Sequence, residues 1–536
     1  MRALLTLVCA LLALPVAGVL AAWFQWDDAA LALLRHQWNT VLPGYAWQSL
    51  LLSGSVALGV AVVGGGAAAL VTLFDFPGRR SFEWALLLPL AMPAYVLAYA
   101  YTDALAFSSP LQAGLRGLLG AQGPLWPDVR SLWGAVFLFV LALYPYVYLL
   151  ARTSLAERAP QLMEAARLLG APMRRRMLAV ALPLARPAMA AGVALALMET
   201  LADYGVGSYF GLSTFTTGIY KAWLVANDRL AAAQLASVLL VAVALLLWTE
   251  RHAQRRMRYA ASRQGAQHAT EARPLRLQGH HALLAWGLSA LPVLLGFVLP
   301  VAWLVRMLWL EALHADVGLP LARFAQWAWS SFQLAALAAG LATALALALA
   351  FALRLRSRQR FGVLPAAARV VSLGYAVPGA VIAVGILHPV GALQAAFPTT
   401  GVGALFTGTV LGLVYAYLVR FSAVALQGIE SGYARIAPAV DDSARLLGAT
   451  PWRTWRELHL PLLKRSALAA ALLVFVDVMK ELPATLVLRP FGSDTLAVVA
   501  YNLARDERLG EAALPALAIV AVGLIPVVML SRALRK

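Results

Sequence analysis

Twelve apolar segments of about 20 residues or more recur along this 536-residue chain, each long enough to cross a bilayer core as a helix. They run over 3–24, 48–73, 84–106, 131–152, 184–206 and 230–249, then 282–308, 330–353, 366–388, 402–424, 463–487 and 511–531. A large soluble helical core would not need so many runs of this length. Charged residues make up 13% of the chain, where a soluble protein carries roughly a quarter. The expected class is an all-α integral membrane protein with about 12 transmembrane helices.

The net charge of +18 would suit a nucleic-acid binder if it formed one patch. It is instead segregated by loop, with roughly two thirds of the Lys and Arg on one side of the expected topology. Arg79-Arg80, Arg174-Arg175-Arg176, the stretch Arg251 to Arg276, the cluster Arg354, Arg356, Arg358 and Arg360, and the tail Arg532, Arg535 and Lys536 all fall there. That side is assigned to the cytoplasm, and twelve spans put both termini inside. No nucleic-acid partner is expected. Membrane lipid is expected as a partner of the basic loops. Met1-Arg2 ahead of an apolar run could open a signal peptide, but the run is longer than a typical signal core, so a retained helix is expected. Cys9 is the only cysteine, which excludes an intrachain disulfide and a thiolate metal site. His280-His281 is read as part of a solvated linker.

A second constraint is a repeat. Glu164-Ala165-Ala166-Arg167-Leu168-Leu169-Gly170 is followed by Leu182-Pro183, and Asp442-Ser443-Ala444-Arg445-Leu446-Leu447-Gly448 by Leu460-Pro461. Glycines and prolines alike are 278 residues apart. Met92-Pro93-Ala94 pairs with Val377-Pro378-Gly379, Glu199 and Asp203 pair with Asp477 and Glu481, and Asp228-Arg229-Leu230 pairs with Glu507-Arg508-Leu509. Two six-helix units in the same orientation follow, a parallel repeat in which the pathway usually lies between the halves. The expected organisation is an N-terminal helix and periplasmic segment (1–47), a first transmembrane domain (48–250), a basic cytoplasmic linker (251–281), a linking helix and periplasmic segment (282–329) and a second transmembrane domain (330–531).

The repeated segment suits force transmission. Ala165, Ala166, Leu168 and Leu169 favour helix, small residues let a partner approach, and Gly170 permits a tight turn. Pro183 is tolerated in the first turn of the next span. Basic residues after each glycine (Arg174 to Arg176; Arg453 and Arg456) suit an acidic partner or anionic headgroups.

These segments resemble the cytoplasmic coupling loops of ABC importer permeases. Tyr144-Pro145-Tyr146-Val147-Tyr148, the stretch Glu199-Thr200-Leu201-Ala202-Asp203-Tyr204-Gly205, and Asp477-Val478-Met479-Lys480-Glu481-Leu482-Pro483-Ala484-Thr485 are similar to the fused ferric-iron permeases. The resemblance covers nearly the whole chain. It implies the type I importer permease fold, two cytoplasmic ATP-binding subunits and a periplasmic substrate-binding protein. Coupling loop 1 would comprise Glu164, Ala165, Ala166, Gly170 and Pro183, and coupling loop 2 Asp442, Ser443, Ala444, Gly448 and Pro461. Asp442-Ser443-Ala444 replaces Glu-Ala-Ala, so the second loop is expected to grip its partner less well.

Ionisable groups inside a membrane are expensive and usually face a cavity or a partner. Glu199 and Asp203 are four residues apart, which predicts one shared helix face, and Asp477 and Glu481 repeat the spacing beside Lys480. The four carboxylates are candidates for a pathway suited to a hard cation, or for a gate that merely packs. No tight metal site is expected.

No Gly-x-x-x-x-Gly-Lys-Ser/Thr phosphate loop occurs. The chain is therefore expected to be no enzyme and to bind no cofactor, with ATP used by a partner subunit. The leading class is an ATP-driven importer subunit in a bacterial inner membrane, most consistent with ferric iron as cargo. Thiamine, phosphonate and polyamine permeases use the same scaffold. A proton-coupled secondary transporter is the alternative class, but it has no need of two matched docking loops. A membrane-embedded enzyme has no supporting nucleophile or metal motif.

Overall fold

The computed structural model describes residues 2–24, 28–262, 274–314, 319–355 and 362–534. Arg356, Arg358 and Arg360, residues 263–273 of the linker, and Arg535 and Lys536 lie outside the described residues. The chain is almost wholly helical. The principal helices, numbered in chain order, are α1 (Arg2–Ala21), α2 (Leu42–Leu73), α3 (Ala94–Leu105), α4 (Leu132–Leu168), α5 (Leu182–Ala202) and α6 (Gly205–Tyr209). Next come α7 (Arg229–Ser262), α8 (Gly279–Val293), α9 (Leu299–His314), α10 (Leu321–Arg354), α11 (Gly379–Ala396) and α12 (Val410–Tyr433). The last are α13 (Pro438–Leu446), α14 (Leu460–Met479), α15 (Pro483–Leu488), α16 (Leu496–Arg505) and α17 (Leu509–Leu534).

Among the described residues, 10 helices are long and apolar enough to cross a membrane, or 11 if one bent pair counts as a single span, where about twelve spans were expected. The segment drawn at 463–487 is not among these because α14 carries Lys464, Arg465 and Asp477. The segment drawn at 84–106 is two helices, Arg79–Ala91 and Ala94–Leu119, meeting at 91°. Pro93 is the cause. Proline disfavours the α conformation in the residue before it, and Met92 is extended at φ −104°, ψ 106°. The repeat behaves alike. Val377, ahead of Pro378, is extended at φ −74°, ψ 122°, so 366–388 is divided among Val363–Val371, Gly374–Ala376 and α11.

The polar linker also differs from expectation. Helix α7 runs on to Ser262. Beyond the undescribed stretch, Leu275 and Arg276 pair in parallel with Phe74 and Asp75, which ties the end of the linker to the chain just after α2. His280 and His281 are exposed in the first turn of α8.

Packing groups the chain into two units that interleave in sequence. The first unit comprises Trp38–Gly218, Val241–Leu319 and Ala500–Lys536. Its centre is the packing of α2, α4 and α5. Glycines on two helices close on one turn of α4: a Cβ at Gly64 would lie 2.6 Å from the Tyr144 carbonyl, and one at Gly192 would lie 2.6 Å from Val147 Cα. Lipid tails are as apolar as leucine, so membrane helices associate through such close contact. Helices α9 and α17 pack against each other in the same unit.

The second unit comprises Met1–Gln37, Ile219–Leu240 and Pro320–Val499. Helices α10, α12 and α14 form its centre, with Gly428 of α12 close to Ala470 of α14. Helix α1 packs on α11 from the far end of the sequence. Their crossing has no room for a side chain: a Cβ at Gly18 would lie 2.5 Å from the Gly385 carbonyl oxygen, and one at Gly385 would run into the Pro15 carbonyl. Replacing Gly385 with Leu should therefore detach α1 and cost about 1–3 kcal/mol or more. Gly340 of α10 has nothing within 4 Å, so Gly340→Leu is the control. Thermal unfolding in detergent should show a lower midpoint for G385L alone.

Candidate functional site

The two repeated cytoplasmic-type segments have the same backbone to within 0.1 Å in their closing hydrogen bonds. In the first, α4 ends at Leu168, Gly170 N donates to Arg167 O (2.9 Å) and Ala171 N to Ala166 O (3.0 Å). In the second, α13 ends at Leu446, Gly448 N donates to Arg445 O (3.0 Å) and Ala449 N to Ala444 O (3.0 Å). Both are Schellman turns with a left-handed residue after the helix, and φ is 75° at Gly170 and 76° at Gly448. A Cβ at either glycine would meet nothing within 4 Å. Each glycine therefore answers to backbone conformation, not to crowding.

The chain then re-enters the membrane direction through a π-helical turn in each half, Met177–Ala181 and Trp455–His459, again 278 residues apart. Pro183 and Pro461 are the physical reason. Each lacks an amide hydrogen and crowds the carbonyl four residues earlier, and one wide turn relieves the conflict without ending the helix. The spans thus begin earlier than the sequence suggested, at Met173 for the first.

Both turns present apolar side chains to solvent. Leu168 and Leu169 are 80% and 87% exposed, and Leu446 and Leu447 are 90% and 86% exposed. Four nearly bare leucines at matched positions call for a covering partner. The acidic residue of each segment pairs with its own arginine, Glu164 with Arg167 at 3.5 Å and Asp442 with Arg445 at 3.6 Å. These exposed pairs add little stability.

The second segment has an anchor that sequence reasoning missed. Asp441 accepts from Arg354 Nε at 2.7 Å and pairs with His459 Nε2 at 2.7 Å. Arg354 also donates to the Ile436 carbonyl at 2.8 Å, and His459 Nδ1 lies 3.3 Å from the Tyr433 hydroxyl. Burial alone would raise the Asp441 carboxyl, but the hydrogen bonds from His459 and Arg354 outweigh it and hold the group below the usual carboxylate range. The matching positions of the first half are Met163 and Ala181, which cannot form such a network. The second helix is thus pinned to α10 and to its own π turn.

The membrane carboxylates do not share helix faces as expected. Helix α5 ends at Ala202, and Asp203 is already extended at φ −71°, ψ 132°. Its Oδ1 accepts from Val206 N (2.8 Å) and Gly207 N (3.4 Å), capping α6. Glu199 stays on α5, partly exposed. In the other half α14 ends at Met479, and Glu481 caps α15 through Ala484 N (2.9 Å) and Thr485 N (3.0 Å). Glu481 also accepts from Thr485 Oγ1 (2.6 Å) and Arg420 (3.2 Å), with its side chain 2% exposed. So enclosed and so fully bonded, it acts as an anchor. Asp477 pairs with Lys480 at 2.9 Å.

Residues 61–259 match the family described as the binding-protein-dependent transport system inner membrane component. Those residues are thereby assigned to the binding-protein-dependent transport permeases. The chain is 25% identical over 485 residues to the Fe(3+)-transport system permease protein of Haemophilus influenzae, covering 90% of this chain and 88% of that one. Over 125 residues it is 32% identical to a 2-aminoethylphosphonate transport permease of Salmonella typhimurium, 23% of this chain and 47% of that protein. Over 255 residues it is 28% identical to the sulfate transport permease of the same organism, 46% and 87% respectively. It is therefore an inner-membrane transport component that works with a substrate-binding protein and an ATPase.

The Asp441 anchor yields a test. Asp441→Asn should raise backbone amide exchange over Asp442–Leu447 by roughly tenfold or more, the loss expected for a charge-assisted hydrogen bond, and leave Ala165–Gly170 unchanged. Because the folded carboxyl sits below its unfolded value, the anchor is complete at neutral pH and is lost as pH falls through that lowered value. Exchange measured at successively lower pH should then make the parent chain converge on D441N.

Proposed function

We propose that this chain is the membrane permease of a ferric-iron importer, receiving its cargo from a periplasmic binding protein and driven by two copies of a cytoplasmic ATPase. The observation that carries the reading is the pair of identical Schellman turns, each offering two bare leucines. One turn per half supports one ATPase subunit per half. A rigid helix end with exposed apolar side chains can both fill a groove and transmit a push. The likeness to the Haemophilus influenzae permease along nine tenths of the chain supports iron as cargo. ATP belongs to the partner, and this chain binds no cofactor of its own. Both termini and the linker 251–281 lie in the cytoplasm.

Leu168→Glu with Leu169→Glu, and Leu446→Glu with Leu447→Glu, should each lower the amount of ATPase that co-purifies, and the fourfold variant should lose it altogether. Burying a leucine side chain contributes about 1.5–3 kcal/mol, so one pair is worth more than tenfold in affinity. Iron uptake by reconstituted vesicles should fall in step while chain levels hold. Unchanged co-purification and uptake in the fourfold variant would refute the docking role. Competition by excess phosphonate, thiamine or polyamine in place of iron would reassign the cargo.

Topology has its own test. Arg276 is exposed at the end of the linker. A cysteine placed there, in a chain with Cys9→Ser, should react with a membrane-impermeant maleimide only after the cytoplasmic face is opened. Labelling in intact cells would reverse the orientation.

A further inference from the structure

The first unit gathers five tyrosines around Asp203, and at the positions matching four of them the repeat has none. Tyr95 and Tyr99 lie on α3 with ring centroids 5.8 Å apart, and Tyr99 meets Tyr209 edge to face at 5.1 Å. Tyr204 stands 5.8 Å from Tyr501, and the Tyr501 hydroxyl lies 2.8 Å from Ser208 Oγ. Tyr99 is within electrostatic reach of Tyr95, Tyr209, Tyr501 and Asp203. Aligned on Pro93 and Pro378, Tyr95 and Tyr99 correspond to Ala380 and Val384. Aligned on Asp203 and Glu481, Tyr204, Ser208 and Tyr209 correspond to Leu482, Leu486 and Val487. Packing alone is thus met by aliphatic residues in the other copy.

Two further facts point to a ligand. Tyr99 is 0% exposed, yet its hydroxyl has no hydrogen-bond partner among the described residues. A buried unsatisfied hydroxyl is costly, and a phenylalanine would avoid the cost. Asp203 uses Oδ1 to cap α6, while Oδ2 has no hydrogen bond among the described residues and the residue is partly exposed. Glu481, its counterpart, is neutralised by Arg420. Two cations border the cluster: Arg130 donates to Tyr209 at 3.1 Å but is held by both oxygens of Glu507 at 2.7 and 2.8 Å, and Arg505, within reach of Tyr501, lies 3.6 Å from Asp506. Asp203 therefore keeps an unbonded oxygen among phenols, with no ion-pair partner among the described residues.

We propose that Asp203 Oδ2 with the hydroxyls of Tyr99, Tyr501 and Tyr204 forms a transient site for a hard trivalent cation, present in only one half of the permease. Carboxylate and phenol oxygens are the donors that such an ion prefers. Any phenol that coordinates as phenolate releases its proton to water. The proposal rests on the ferric-iron reading and narrows it to named oxygens.

The test uses the full chain in lipid nanodiscs and Tb(III) as the probe, with tyrosine-sensitised luminescence as the readout. The parent chain should show a saturable signal that drops severalfold in Tyr99→Phe and in Asp203→Asn and holds in Tyr415→Phe. The Tyr99→Phe chain removes an unsatisfied hydroxyl, so its thermal midpoint should be equal or higher, which separates cation loss from misfolding. Equal signals in the parent, Y99F and D203N would overturn the site. Iron uptake by the complete transporter is read alongside. A parent that imports iron while Y99F imports it equally fast also overturns the site and leaves the ferric-iron reading standing. A parent that binds Tb(III) at the cluster but imports no iron overturns the ferric-iron reading alone.

Discussion

In a hydrocarbon core no water is available to a backbone N–H or C=O, so any departure from continuous helix must supply its own partner. Several departures from helix among the described residues have an identifiable cause. At Asp203 and Glu481 a carboxylate takes over the amides that open α6 and α15. At Pro93 and Pro378 the missing amide needs no partner, and the helix simply turns. At Pro183 and Pro461 one wide π turn absorbs the conflict. The same solutions recur in both halves because the duplicated residues impose them. The bend at 91° and the short capped helices follow from these few side chains.

Duplication with divergence then distributes roles. The two repeated turns keep one set of closing hydrogen bonds, one glycine conformation and one pair of exposed leucines. They differ underneath. The second stands on a charged network of Asp441, Arg354 and His459, for which Met163 and Ala181, at the matching positions of the first, have no polar groups. The capping carboxylates diverge in the same sense. Glu481 is locked by Arg420, while Asp203 keeps an oxygen open beside a group of phenols.

Packing ties sequence-distant parts together through small residues. Gly64 and Gly192 meet the same turn of α4, and Gly18 meets Gly385 across most of the chain's length. Each contact removes a side chain so that backbones can approach, which is the main attraction available between helices already surrounded by lipid. One result is that α1 belongs to the same packing unit as the second half's helices, although it opens the first half in sequence.

The sequence by itself determined the all-helical membrane class, the duplication, the position of both repeated turns and the need for glycine at their ends. These depend on local composition and spacing, which are visible in one dimension. It did not show the bend in the third span, because apolar length was weighed above the repeated X-Pro that breaks the helix. It placed Glu199 with Asp203, and Asp477 with Glu481, on shared faces, since a spacing of four is meaningful only while the helix continues. The tertiary structure alone decided that Asp441 reaches Arg354 and His459, that α1 packs on α11, and that Tyr95, Tyr99, Tyr204, Tyr209 and Tyr501 collect around one carboxylate. Those residues are up to about 400 positions apart, and no local periodicity encodes a meeting that only the packed chain creates.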